Sequence, residues 1–260
     1  MFKHYPLQTS NTFSTSVEFL PSDEKILFME NKRYAPSFWR WHNESIVYNM
    51  NSNGFRCREF SDIDYKNSIA LVGCSHVMGI GNKEEETISS YMQDILDCPV
   101  INLGQSGADN EMIFFNSLWA LQQEFKTVIT AWSYPLRYNH FVTKDKLMTF
   151  QPHDAGNHKI YDMLFTKHFM NDIDHFETRC KLYKEALKPY SNWNEISFVS
   201  EQNWNLSFFE CSVNDEFTIN ELYARDLLIK RNPSQIGFHY GRHWNKYFAK
   251  RIVEETTDCW

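Results

Sequence analysis

The chain has 260 residues, 42% of them apolar, enough to bury one substantial core and to form one large domain, or a domain with a sizeable insertion, rather than two independent ones. A formal net charge of −7 argues against general attraction to nucleic-acid phosphates or to an anionic membrane surface, since both favour basic faces, so neither is an expected partner. The six cysteines form neither a CxxC pair nor a compact framework, no apolar run is long enough to span a bilayer, and the start Met1-Phe2-Lys3-His4-Tyr5-Pro6 lacks the apolar core of a signal peptide; reduced thiols in a cytoplasmic protein are the simplest expectation.

In chain order, residues 1–65 read as an irregular lead-in packed on the main domain. A hairpin is expected at 46–56, with Asn53-Gly54 supplying the positive φ angles of a tight reversal. Residues 66–260 then form an α/β domain. Its first strand is expected at 69–73, a helix at 87–96, a short strand at 100–103, a longer helix at 110–125 and a third strand at 127–133. Short apolar runs alternating with helices imply parallel strands and right-handed crossovers. A polar, His-, Asp- and Lys-rich insertion follows at about 140–191, beside the carboxyl end of the third strand where a cap could sit, with one helix at 172–187. Strands at 195–199 and 206–209 and a helix at 242–254 complete the reading. The expected fold class is α/β, a three-layer α/β/α arrangement around a doubly wound, mainly parallel sheet. Aromatic residues make up 16% of the chain; they could line a sugar-binding surface, but rings in a domain of this size mostly fill the core.

The chemistry starts at Gly73-Cys74-Ser75-His76-Val77-Met78-Gly79-Ile80-Gly81. An apolar run breaks there into a small-residue turn that presents one hydroxyl, Ser75, at the carboxyl end of a buried strand. Open α/β sheets hold their ligands outside those ends, which makes Ser75 a candidate nucleophile, with helix capping as the alternative role of a serine in such a turn. The stretch is not the GxSxG elbow, because position 77 is Val77. Nor is it a dinucleotide or phosphate loop, since the third glycine position is Glu84 and no GK[ST] follows, so no cofactor is expected. His239 and His243 stand four apart without an HExxH glutamate or a third ligand, and no metal is expected either.

This stretch resembles the first block of the SGNH, or GDSL-like, hydrolase superfamily, with Cys74 where the family usually has Asp. Asn51-Ser52-Asn53-Gly54-Phe55-Arg56 is similar to the lead-in seen before that block in many such chains. Ile101-Asn102-Leu103-Gly104-Gln105-Ser106-Gly107-Ala108-Asp109-Asn110 resembles the second block, and Gly237-Phe238-His239-Tyr240-Gly241 resembles the last, in which a histidine precedes the final helix. The resemblance implies a flavodoxin-like SGNH hydrolase fold. It also implies an esterase or O-deacetylase acting on a small-molecule or carbohydrate ester, with Ser75 as nucleophile, His239 as general base, and backbone N–H groups of Ser75 and Gly107 facing the oxyanion.

Two family features are absent. Position 236 is Ile236 where an Asp usually precedes the histidine, and the third block lacks its asparagine. Asp226, in an Ala224-Arg225-Asp226 run that resembles some phage and marine members, is the candidate orienting acid, and Asn110 the candidate replacement oxyanion donor. Arg137, just beyond the third strand, could contact an anionic substrate group or be a solvated loop cation, and His76 could form part of the substrate wall. The missing residues keep a second class of reading open, a non-catalytic SGNH-fold binding protein or a virion-associated structural protein of a phage.

Overall fold

The computed structural model describes residues 14–18, 33, 37, 42–133, 137–143, 146–150, 173–197 and 241–256. The described chain begins with two short antiparallel strands, β1 (Thr15–Val17) and β2 (Tyr48–Met50), paired from Thr15 opposite Met50 to Val17 opposite Tyr48. The partner of β2 is therefore β1, and the hairpin expected at 46–56 does not form. The reversal itself is present. Asn51 N–H donates to the Phe55 carbonyl (2.8 Å) and Gly54 N–H to the Asn51 carbonyl (3.0 Å). Only Gly54 takes a positive φ, of 75°, so the turn has the bond pattern of a five-residue reversal ending in a glycine bulge and needs no left-handed Asn53. The Asn51 side chain completes it by accepting from the N–H groups of Asn53 (3.0 Å) and Phe55 (2.9 Å).

The apolar run that follows becomes β3 (Ile69–Gly73), buried on both faces, as a strand inside a parallel sheet must be. A single-turn helix α1 (Ser75–Met78) leads away from it, followed by α2 (Ile88–Leu96), β4 (Val100–Gly104), α3 (Asn110–Gln122) and β5 (Thr127–Trp132). The two long helices start where the sequence places caps: Thr87 Oγ1 accepts from Ser90 N–H (3.3 Å) and Asp109 Oδ1 from Met112 N–H (2.9 Å). Within the expected insertion lie an antiparallel pair, β6 (Tyr138–Thr143) and β7 (Lys146–Phe150), which the polar reading did not anticipate, and the expected helix, α4 (Ile173–Leu187). Strand β8 (Trp193–Ser197) starts two residues before its expected position because pairing with β5 begins as soon as the chain leaves α4. Val128 N–H donates to Asn192 O, and Trp193 stands opposite Val128. Helix α5 (Arg242–Glu255) closes the fold, and the strand expected at 206–209 lies outside the described residues.

The sheet order is β4-β3-β5-β8, all parallel. Alternation along β3 divides the core. Ala70 and Val72 meet Met112, Ile113 and Trp119 of α3 and Leu187 of α4 on one face. On the other, Ile69 and Leu71 meet Ile88 and Met92 of α2 and Trp244, Phe248 and Ile252 of α5. Helices cover both faces, so the protein is a doubly wound three-layer α/β/α fold. From β3 the chain passes to one side through α2, and from β4 it returns across β3 through α3 to β5. The crevice outside the carboxyl ends of β3 and β5 is thus the topological switch point, where such sheets bind their ligands.

Candidate functional site

Ser75 stands at that switch point. It is buried, with 5% of its surface exposed, and it is the first residue of α1; the cap position belongs to Cys74, and no side chain caps this helix. Ser75 is therefore not a capping serine. Among the described residues its hydroxyl has no hydrogen-bond partner, while its backbone carbonyl accepts from Gly79 (3.0 Å) and Ile80 (3.2 Å). The turn that carries it is held by other groups. Arg56 is fully buried; its Nη1 donates to the carbonyls of Met78 (3.2 Å) and Gly79 (2.9 Å), its Nη2 to that of Asn82 (2.9 Å), and its guanidinium lies 4.6 Å from the centre of the Tyr48 ring. A single cation thus satisfies carbonyls at and beyond the end of α1 that have no helical partner.

The second loop locks against the first. Gly104 sits so close to α1 that a Cβ there would lie 2.3 Å from Met78 N, which only glycine permits. Asn102 Nδ2 donates to Val77 O (2.9 Å), and its Oδ1 accepts from Gly104 N–H (3.0 Å). Gln105 N–H donates to Gly73 O (3.0 Å), and its side chain donates to Gly54 O (3.1 Å), so all three of the segments 51–56, 73–81 and 102–107 are bonded together. Gly107 takes a φ of +74°, a left-handed conformation that favours glycine, and its carbonyl accepts from Asn139 Nδ2 (3.1 Å).

Asn110 has a different place from the one expected. Its Oδ1 accepts from Ser133 N–H (2.8 Å), and its Nδ2 donates to Ser133 O (3.1 Å) and meets Cys180 Sγ at 3.3 Å. Both amide hydrogens are committed, so the side chain fastens the end of β5 and has no hydrogen left to donate to an oxyanion. Arg137 Nη1 reaches the same corner, donating to Ser133 Oγ (3.1 Å) and Ala108 O (3.3 Å). Asp109 is buried beside it and accepts from Met112 N–H and, through Oδ2, from Asn139 N–H (2.8 Å). Burial pushes its carboxyl above the ordinary value, against the lowering effect of those two bonds.

His76 is half-buried next to Ser75. Cys74 is buried in the face of the core that carries α3, where it packs as a small apolar group. Among the described residues Cys57, Cys74, Cys98 and Cys180 are free thiols, and no group of His, Cys, Asp and Glu is arranged to hold a metal. His239 and Asp226 lie outside the described residues. A cavity of about 150 Å³ opens elsewhere, at the β4 edge beside Cys57, Arg58, Thr87 and Gln93, and Ser75 does not line it. Arg56 is the site residue the sequence reading passed over. Its place in the lead-in resemblance was the available signal, but arginines are almost never fully buried, so no structural role was read from it.

The chain matches no protein-family model and no curated protein. Among solved structures it is similar to a protein from Desulfitobacterium hafniense DCB-2 named for the G-D-S-L family of lipolytic proteins. The two are 8% identical with a TM-score of 0.36, over 72% of this chain and 98% of that one. It is also similar to a protein from Bacteroides ovatus ATCC 8483 named as a GDSL-like lipase, at 13% identity and a TM-score of 0.36 over 75% of this chain; the match spans about half, 54%, of that protein's length.

Proposed function

We propose that the protein is an ester hydrolase of the SGNH type, an esterase or O-deacetylase acting on an acylated small molecule or carbohydrate. The observation that carries the reading is the hydroxyl of the buried residue Ser75, unpartnered among the described residues and set at the switch point of a doubly wound sheet. In the proposed reaction Ser75 Oγ attacks the ester carbonyl while His239 takes its proton. The carbonyl oxygen becomes an oxyanion facing the N–H groups of Ser75 and Gly107, and its collapse expels the alkoxide, which receives the proton from His239. Water then attacks the acyl-serine by the reverse sequence, releasing the acid and restoring the hydroxyl. Asp226 orients the imidazole in this scheme. Support for the histidine comes from α5. Asn245 Nδ2, in its first turn, donates to Glu86 O (2.9 Å), just ahead of α2, so α5 starts at the end of the sheet from which α1 and α2 depart, and His239 stands two residues before its cap, Gly241.

One observation favours a second reading, a non-catalytic binding or virion-associated protein: Asn110, the candidate third oxyanion donor, is bound up with Ser133 and Cys180. A fluorophosphonate probe separates the two. Covalent capture at Ser75, abolished by Ser75→Ala, is the result expected of the hydrolase, whereas folded protein that takes up no probe favours the binding reading.

A further inference from the structure

Resting on the hydrolase reading of this crevice, we propose that its preferred esters carry a carboxylate, and that Arg137 is the residue that selects it. Among the described residues Nη1 alone anchors this guanidinium, through Ala108 O and Ser133 Oγ. The opposite edge of the fork, formed by Nε and Nη2, makes no hydrogen bond among the described residues, and Nε is buried there without a partner. That edge is the one a carboxylate meets with two parallel N–H···O bonds.

Among the described residues the cation also has no counter-charge, in a chain whose net charge is −7. Among the described residues, the acids that follow Ala108 are already engaged. Asp109 accepts from two backbone N–H groups, and Glu111 pairs with Arg179. A half-buried guanidinium with one unbonded edge and, among the described residues, no carboxylate of its own is an incomplete arrangement, because donors withdrawn from water are costly when unmet. An incoming carboxylate completes it. The position suits selection of substrate. Ala108 follows the oxyanion candidate Gly107, and Ser133 follows β5, the strand hydrogen-bonded to the one that delivers Ser75. A group held by Arg137 therefore belongs to the same crevice as the scissile ester.

Isosteric pairs test the proposal. For turnover, 4-acetoxybenzoate is compared with its methyl ester, which puts the charge on the alcohol side, and monomethyl glutarate with dimethyl glutarate, which puts it on the acyl side. The charged member of at least one pair is expected to show a kcat/KM about tenfold or more above its neutral partner, and which pair responds assigns the side. In Arg137→Gln the ratio falls to about one, and in Arg137→Lys, which keeps the charge without the fork, it is intermediate. Ratios within one preparation do not depend on the fraction folded. A second readout needs no turnover: calorimetric binding of 4-acetamidobenzoate, glutarate and methyl 4-acetamidobenzoate to the Ser75→Ala protein, with and without Arg137→Gln. Preference for a carboxylate that disappears with Arg137 upholds the inference even if no ester is hydrolysed, an outcome that would sink the hydrolase reading alone. Equal binding of charged and neutral probes, no binding of either carboxylate, or a preference that survives Arg137→Gln overturns it.

Discussion

Two serines stand at the carboxyl ends of neighbouring strands, Ser75 beyond β3 and Ser133 beyond β5, and each exposes 5% of its surface. Ser133 is committed through every polar group it has: its N–H and C=O to Asn110, its hydroxyl to Arg137. Ser75 is fixed only through its backbone, and its hydroxyl has no partner among the described residues. Equal burial with opposite bonding separates a serine that holds the fold from one left available for chemistry. Position at a strand end does not make that distinction; what the hydroxyl touches does.

The sharpest way to break the comparison is to remove each hydroxyl in turn. Ser75→Ala is expected to lower kcat for a responsive ester by about 10⁴-fold or more, with little change in unfolding free energy, since no bond to that oxygen is lost. Ser133→Ala removes one bond from Arg137 and should change activity by less than about tenfold, at a stability cost of about 1 kcal/mol. Matched losses in kcat for the two variants would end the distinction.

A smaller effect tests how each serine is held. Arg56→Met removes the guanidinium donor shared by the carbonyls of Met78, Gly79 and Asn82, leaving Gly79 O its bond from Asn82 N–H, and denaturant unfolding should register a loss of about 3 kcal/mol or more, together with slower fluorophosphonate capture at Ser75. Asn110→Ala strips the clamp from Ser133 and should cost about 2 kcal/mol while leaving that capture rate nearly unchanged. If Asn110→Ala slowed capture more than Arg56→Met, the two corners would not be independent.

The contrast between these corners also explains what the sequence revealed. The segment 69–132 reads almost residue for residue because its signals are local. Mostly apolar runs make the three strands, and Thr87 and Asp109 cap the helices they precede. The lead-in misled because its pairing is distant: β2 finds Thr15–Val17, more than thirty residues away, rather than the chain just beyond its own turn. Ser75 and Gly107 were legible as residues in a pattern. Arg56 and the Asn110–Ser133 clamp were not, because the bonds Arg56 makes to Met78 and Gly79 and those Asn110 makes to Ser133 span 22 or more residues, which leaves no periodicity in the sequence.

Asp109 gives the smallest effect and the finest test, because it lies between the corners, capping α3 on one oxygen and holding Asn139 on the other. Burial raises its pKa in the folded protein, so the folded chain keeps this proton at a pH where the unfolded chain, with an ordinary value of about 4, has released it. The stabilisation from the proton is therefore complete below the unfolded value and is lost as pH rises through the folded one. Measured as the difference in unfolding free energy between wild type and Asp109→Asn across about pH 3 to 8, the contribution of Asp109 should be most favourable in acid, decline through the weakly acidic range, and then level off. A difference that grows in favour of the wild type as pH rises would mean that the two N–H donors outweigh burial at this carboxylate, and that the loop carrying Gly107 is held by a charge in the way the Ser75 turn is held by Arg56.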